Sequence, residues 1–322
     1  MPCDPSTTNV IFLSGVVFGC ALSLYKRRRA TLSDSTSKVT YDLGAGNLDI
    51  IRLVHPSGSK VTVYKHGGTI TSWKVADGRE MLLLSREAVF NGKKAIRGGI
   101  PLVFPQFGPG KLANHGFART SKWDVHDLKG NVLTLVLEDN AETRKIWGGN
   151  QFQLLYEIEL TATSLRTKFV VTNKGNNPFD FQALLHTYYK LPDISAIVVN
   201  DFNGVTYLDK LKEAEEFVEN TKDFKFTEEV DRIYKNAPSS VKIRIENEND
   251  VTVQVSSSLS DGKDSNHDIV LWNPHIAKSK RMSDFGDDEW KTMVCVEPGV
   301  VAGWTKLDAG KSFWLEQKIL SE

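Results

Sequence analysis

Cysteine is scarce in this chain, and its scarcity excludes two classes of protein. The 322 residues include three cysteines, Cys3, Cys20 and Cys295. Their number is odd and their spacing matches no metal-binding motif, so we expect neither a disulfide scaffold nor a zinc site. Cys295 lies in the apolar run MVCV, where a free cysteine behaves as a small hydrophobic residue, and we expect it in a buried strand. A reducing compartment is the natural setting.

Net charge is also lacking. Forty basic residues balance forty acidic ones, so no overall field favours a nucleic acid, and we expect a small partner instead. Linker-like tracts rich in Pro, Gly and Ser are absent after residue 43, and no solenoid period repeats. We therefore expect one domain over residues 43–322, acting as a monomer.

The N-terminus departs from this even composition. Residues 9–25 carry no charge and are mostly apolar, and four basic residues follow at 26–29. A run of this length is at the lower limit for crossing a bilayer, and its positive flank follows it, unlike that of a secretory signal. The positive-inside rule would keep that flank cytosolic, which predicts a membrane anchor with the large domain facing the cytosol. The alternative is a leader for an organelle, a plastid or a mitochondrion. Both interpretations place residues 1–42 outside the fold.

Short runs rich in Val, Ile, Thr and aromatic residues dominate the chain from residue 48 onward. Residues 152–161 and 165–172 form the longest such pair, and the three residues between them predict a hairpin. About fifteen strands without long amphipathic helices between them predict an all-β fold, a large antiparallel sandwich. Local preference predicts helix only at residues 208–218, as a solvated excursion, and at residues 287–292.

The segment at residues 97–120 has an unusual composition. It concentrates glycines, prolines, aromatic residues and arginines, beginning RGGIP and ending HGFART. Glycine allows positive φ angles and close approach of the backbone, while proline stiffens the path. We therefore expect a rigid functional loop whose arginines, Arg97 and Arg119, suit an anion.

Among the groups able to move protons, two stand out by position. His186 closes the apolar run FQALLH, and Glu297 follows MVCV directly before a Pro-Gly turn. A carboxylate at the end of a buried strand is costly unless it is paired or useful. Periodicity alone leaves both residues open to a structural role, and the same holds for His115 and His275.

Five motifs read together resemble the hexose-6-phosphate 1-epimerases, the phosphorylated-sugar branch of the aldose 1-epimerase, or galactose mutarotase-like, family. In chain order they are RGGIP with FPQFG at 97–108, HGFAR at 115–119, LHTYYK at 185–190, VDRIY at 230–234 and CVEPG at 295–299. The resemblance covers roughly residues 48–316. It implies a large antiparallel β-sandwich with a sugar bound in a cleft on one face.

The resemblance also implies a reaction and its residues. The family interconverts the α and β anomers of a sugar through the open-chain aldehyde, which requires a general acid and a general base but no cofactor or metal. By the family pattern His186 is the acid and Glu297 the base.

The family pattern assigns binding roles to five further residues. Arg97 and Arg119 match arginines that line the substrate site, and Asp231 matches an aspartate that binds sugar hydroxyls. His115 is assigned to binding or support. Asn114 stands where we expect glutamine in some relatives, and its amide can make the same hydrogen bonds to the sugar with a shorter reach.

These residues imply a hexose 6-phosphate, in the first place glucose 6-phosphate, as substrate. Two alternatives stay open: a non-catalytic protein that binds or senses sugar phosphates, and an epimerase for unphosphorylated aldoses.

Overall fold

The computed structural model describes residues 37–260 and 266–321. The predicted anchor or leader at residues 9–25 lies outside them, as do Cys3 and Cys20. In the described ranges no helix combines the length and apolarity needed to cross a membrane. Strands dominate, which confirms the predicted all-β class.

The strands are β1 (Lys38–Leu43), β2 (Asp49–Val54), β3 (Lys60–Tyr64), β4 (Thr69–Lys74), β5 (Leu102–Val103), β6 (Asp124–Lys129), β7 (Val132–Glu138), β8 (Phe152–Leu160), β9 (Ser164–Asn173), β10 (Phe179–Leu185), β11 (Tyr188–Lys190), β12 (Ile197–Val199), β13 (Thr206–Asp209), β14 (Glu215–Val218), β15 (Val230–Tyr234), β16 (Ser240–Ile245), β17 (Val251–Leu259), β18 (Asp268–Asn273), β19 (Met293–Leu307) and β20 (Ser312–Ser321). The α-helices are α1 (Ala141–Ile146) and α2 (His275–Ser279), and short 3-10 turns occupy Ala45–Asn47, Ala118–Thr120, Ile194–Ala196, Lys210–Lys212 and Glu289–Thr292.

Three antiparallel sheets arrange these strands. The first has the order β1-β2-β3-β4, and the third has the order β12-β16-β17-β20-β9-β8-β7-β6. The second runs β14-β13-β15-β18-β19-β10-β5, and β11 pairs with β19 beside it. Strict alternation of buried and half-buried residues along β8 gives one face to the core, and its pairing with β9 confirms the predicted hairpin.

One buried apolar cluster draws members from all three sheets, for example Ile51, Leu185 and Phe169. A common core between sheets is what a sandwich requires. A second, smaller cluster covers the other face of the second sheet and includes Tyr188, Val270, Trp272 and Cys295. This second face forms the floor of the site described below.

The structure differs from the sequence analysis at three places. β1 starts at Lys38 and pairs with β2 along its whole length, so residues 38–42 belong to the first sheet. Residues 208–218 are not a helix. They form the β13–β14 hairpin, in which Glu213 and Ala214 have left-handed φ angles of 53° and 61° that an α-helix excludes. Pairing of β13 with β15 overrides the local helix preference of these charged residues. The second predicted helix is present only as the short 3-10 turn at Glu289–Thr292.

The loop from residue 97 to residue 120 is tied closely to its neighbours. Gly99 has a φ of 66°, and a Cβ on it would lie 1.9 Å from the carbonyl oxygen of Ile70. Gly116 is equally confined, with a Cβ position 2.1 Å from the carbonyl oxygen of Phe104. Only glycine fits at either place, so Gly99 holds the start of the loop against the first sheet, and Gly116 holds its later part against Phe104, just after β5.

We expect Gly99→Ala to lower the free energy of unfolding more than Gly310→Ala. Both glycines have left-handed φ angles, 66° and 71°, but a Cβ on Gly310 would meet nothing within 4 Å. Backbone strain is therefore common to both variants, and the clash at Gly99 adds roughly 1–3 kcal/mol. Urea denaturation of both variants measures the difference, and equal losses would show that the loop has room to move.

Candidate active site

A cleft of about 230 Å³ opens on the second sheet, over its smaller apolar cluster. Strand register explains its floor: Asp231 lies opposite Trp272, Trp272 opposite Cys295, and Cys295 opposite Tyr188. Paired residues of antiparallel strands share a face, so all four side chains point to the cleft side of the sheet. Six of the predicted site residues line the cleft: Arg97, Asn114, His115, His186, Asp231 and Glu297.

His186 and Glu297 meet at the bottom of this cleft. The imidazole Nδ1 lies 3.2 Å from the carboxylate Oε1, and the side chains are 8% and 1% exposed. Glu297 is fixed within β19, opposite Val270. His186 follows β10, its backbone N–H donates to the carbonyl oxygen of Pro101, and its ring stacks on Tyr188 at 4.7 Å.

Neither group of this pair is satisfied by the protein. Nδ1 of His186 and Oε2 of Glu297 are buried and have no hydrogen-bond partner among the described residues, since the 3.2 Å contact lacks hydrogen-bond geometry. Buried polar atoms without a partner are rare in folded proteins because each one destabilises the fold by about 1–3 kcal/mol. The pair is therefore arranged for a ligand that enters the cleft.

Burial keeps this pair electrically neutral. Burial raises the pKa of Glu297 well above its ordinary value, and Asp231 raises it further while Lys210 opposes the shift. Burial likewise lowers the pKa of His186, with further lowering by His115, Arg97 and Arg119. Both shifts favour the uncharged forms, a protonated Glu297 carboxyl beside a neutral His186 imidazole. One proton shared by two adjacent groups is what a relay requires.

Arg97 is anchored at one end of the cleft. Its Nε and Nη2 each donate to Asp284 at 3.2 Å, and Nη1 donates to the hydroxyl of Tyr188 at 3.0 Å. Burial alone would lower the pKa of Arg97, but Tyr188 and Asp284 outweigh burial and raise it. The guanidinium is thus permanently charged and held in one orientation.

Arg119 differs from the prediction in its position. It does not line the cleft itself. Its Nη2 donates to the carbonyl oxygen of Asn114 at 2.6 Å, and among the described residues no carboxylate pairs with it. Burial and repulsion by Arg97 lower its pKa to about 10. Two guanidiniums that repel each other, with one carboxylate near them, favour binding of an anion.

His115 supports the loop beside His186 and Glu297. Its backbone has a left-handed φ of 64°, and its backbone N–H donates to the carbonyl oxygen of Gly108. The N–H of Gly108 donates in return to Nδ1 at 3.2 Å. Burial and three nearby cations lower the pKa of His115, so its ring is neutral and carries its proton on Nε2. The ring lies 5.6 Å from that of His186.

Two lysines of the cleft were missed by the sequence analysis. Lys210 Nζ lies 3.4 Å from Asp231 Oδ2 and 4.6 Å above the centre of the Phe107 ring. Lys278, on α2, also lines the cleft. The segment of Lys210 had been assigned to a solvated helix, and nothing in the motif pattern marked Lys278. Asp231 itself lines the cleft, and burial raises its pKa against the opposing charge of Lys210.

Cys295 lies directly beside the pair, two residues before Glu297 on the same face of β19. The donor atoms of His186, Cys295 and Glu297 all lie within 4.8 Å of one another, and all three residues are buried. This is a donor set that could hold a metal ion. Cys295 is buried in a strand, as its apolar surroundings predict.

Comparison with known proteins identifies relatives over nearly the whole described chain. The model of the aldose 1-epimerase family matches residues 49–319. A protein of Cenchrus ciliaris named "Putative glucose-6-phosphate 1-epimerase" is 38% identical over 264 residues, 78% of either chain. One of Escherichia coli (strain K12) with the same name is 32% identical and covers 84% of this chain and 90% of its own.

A solved structure shows the same architecture. The crystal structure of a "putative mutarotase" from Salmonella typhimurium aligns with a TM-score of 0.74 and 26% identity, over 88% of this chain and 94% of that one. A galactose mutarotase related enzyme from Lactobacillus acidophilus aligns with a TM-score of 0.68 at 19% identity, which shows the shared fold. The galactose mutarotase-like sandwich predicted from the sequence is thereby confirmed.

Proposed function

Because the chain belongs to the aldose 1-epimerase family, we propose that it interconverts the α and β anomers of glucose 6-phosphate, with His186 and Glu297 as the proton-transfer pair. The observation that carries the proposal is the pair itself, two buried titratable groups 3.2 Å apart at the bottom of the cleft. The names of the most similar relatives support the phosphorylated substrate.

The reaction needs two proton transfers, one at each of the two oxygen atoms bonded to the anomeric carbon. Opening the ring places a proton on the ring oxygen and removes one from the anomeric hydroxyl, and reclosure on the other face of the aldehyde reverses both. In the productive state His186 carries the proton as the acid and Glu297 is the base. Since the free pair holds its proton on Glu297, substrate binding has to move that proton across to His186.

The cations at one end of the cleft explain how substrate binding would transfer the proton from Glu297 to His186. Arg97 and Arg119 are among the charges that lower the pKa of His186, and Tyr188 links Arg97 to the histidine by a hydrogen bond on one side and ring stacking on the other. A bound phosphate dianion would neutralise the guanidiniums and so favour protonation of His186. Phosphate recognition and preparation of the acid are then the same event.

The remaining charged groups divide between the two ends of the substrate. Asp231 would accept hydrogen bonds from sugar hydroxyls after giving up its contact with Lys210, which lies 3.4 Å away. Lys210 and Lys278 then join the arginines as donors to phosphate oxygens, for which a compact ammonium is suited. Asn114, at the exposed rim, would donate its amide to a hydroxyl.

Glu297→Gln and His186→Gln each remove one member of the relay while keeping its approximate shape. We expect each to slow anomer exchange of glucose 6-phosphate by roughly 100- to 10,000-fold, the usual worth of general acid–base catalysis. Exchange NMR of the anomeric protons measures the rate above that of buffer alone. Glu316→Gln, a surface carboxylate paired with Arg166, is the matched control and should retain full activity.

Retention of the full rate by either variant would contradict the relay. Tight binding of glucose 6-phosphate by the unaltered chain, without any acceleration over buffer, would instead make it a non-catalytic binding protein.

Lys278→Met tests the phosphate end without touching the relay. Loss of one charge-assisted hydrogen bond, worth about 1.5–3 kcal/mol, should lower kcat/KM for glucose 6-phosphate roughly 10- to 150-fold and leave glucose nearly unaffected. Lys280→Met is the control, because Lys280 is exposed just beyond the same helix. Equal effects on both sugars would remove Lys278 from phosphate recognition and favour an unphosphorylated aldose.

For the N-terminus we propose a membrane anchor that leaves the folded domain facing the cytosol. Its support is the uncharged run at residues 9–25 with the basic flank at 26–29. A fluorescent reporter fused to residues 1–45 should remain with membranes on fractionation and keep its full length. A shortened reporter inside a plastid or mitochondrion would establish the leader instead.

A further inference from the structure

The catalytic pair has a third donor beside it that the epimerase chemistry does not use. The thiol of Cys295 lies within 4.8 Å of the nearest donor atoms of His186 and Glu297, and its side chain is fully buried. In the part of the chain that the structure describes, these three residues are the group of His, Cys and carboxylate side chains whose ligand atoms lie close enough together to hold one metal ion. Nδ1 of His186 and Oε2 of Glu297 have no hydrogen-bond partner there, and the Cys295 thiol already interacts with the Glu297 carboxylate.

The chemistry of the three donors selects the kind of ion. Thiolate, imidazole and carboxylate together are ligands of zinc, whereas magnesium and calcium prefer oxygen alone. A thiolate and a carboxylate would balance the two positive charges of the ion, which leaves a neutral assembly that can be buried. Because the bound ion and its ligands would carry no net charge, Arg97 and Arg119 would not be repelled by them.

The geometry requires only a small closure. Zinc bonds of about 2.0–2.3 Å place neighbouring tetrahedral ligand atoms roughly 3.3–3.7 Å apart. Atoms of His186 and Glu297 already lie 3.2 Å apart, and the thiol, within 4.8 Å of both residues' ligand atoms, has to approach by at most about 1.5 Å, which a side-chain rotation can supply. Three protein ligands leave the fourth position of the ion open toward the cleft, which His186 and Glu297 line.

We propose that His186, Cys295 and Glu297 form an inhibitory binding site for zinc or a similar thiophilic divalent cation. The ion would occupy the lone pairs that the relay needs and would stand where the anomeric hydroxyl approaches. Sugar and metal would therefore exclude each other. The proton relay does not need a thiol, and Cys295 would make the same site able to bind a metal ion. The inhibition rests on the proposed epimerase function, but the binding of the metal does not.

Cobalt(II) tests the binding directly, because a cobalt–thiolate bond gives an intense near-ultraviolet charge-transfer band that oxygen and nitrogen ligands do not give. The full chain, stripped of metal with a chelator, should develop this band on titration with cobalt and lose it when zinc is added. Cys295→Ala and Cys295→Ser should each reduce the band by the amount due to one site and weaken zinc binding at that site at least tenfold. Two replacements are used because a polar hydroxyl and a small methyl group perturb the buried position differently.

Anomer exchange then separates this proposal from the proposed function. Zinc should slow exchange of glucose 6-phosphate by the unaltered chain, and Cys295→Ala should need at least tenfold more zinc for the same inhibition. A cobalt band of equal strength in the chain and in both Cys295 variants would overturn the site, whatever the activity. A Cys295-dependent band in a chain without epimerase activity would sustain the metal site and overturn the proposed function alone.

Discussion

Burial of an imidazole against a carboxylate is the constraint on which this molecule depends. Glu297 is 1% exposed in the middle of a sheet and His186 scarcely more, so water cannot solvate the charged form of either group. The fold accepts two unsatisfied polar atoms at this point, although each is destabilising. Rigid surroundings make that possible: β19 holds the carboxylate between β18 and β10, and stacking on Tyr188 fixes the imidazole ring.

The cations of the cleft belong to the same arrangement. Arg97 is fixed by Asp284 and Tyr188, and Arg119 donates to a backbone carbonyl and forms no ion pair with a carboxylate in the part of the chain that the structure describes. Their field acts on His186 as well as on any anion in the cleft. The same few charges therefore act both on an anion in the cleft and on the protonation of His186.

Sequence reasoning was successful where a pattern has one physical solution. Alternating apolar residues along β8 and β9 can only face a core, and the hairpin followed from them. For His186 and Glu297, position along the chain alone did not predict a shared site, because more than a hundred residues separate them and only strand register brings them together. The motifs around them were needed to assign both residues to one site. The same reasoning failed at residues 208–218, where local helix preference was overridden by pairing with β15. Lys210 was missed for that reason. Lys278 sits on a five-residue helix whose position only the folded chain defines.

The central claim is that His186 and Glu297 act as one unit on one proton, and a double-variant cycle tests it most directly. Anomer exchange of glucose 6-phosphate is measured by NMR for the unaltered chain, for His186→Gln, for Glu297→Gln and for the variant carrying both changes. Groups that act as a unit are strongly non-additive, so the double variant should be no slower than the slower single variant. Losses that multiply in the double variant would show two independent contributions and contradict the shared-proton relay.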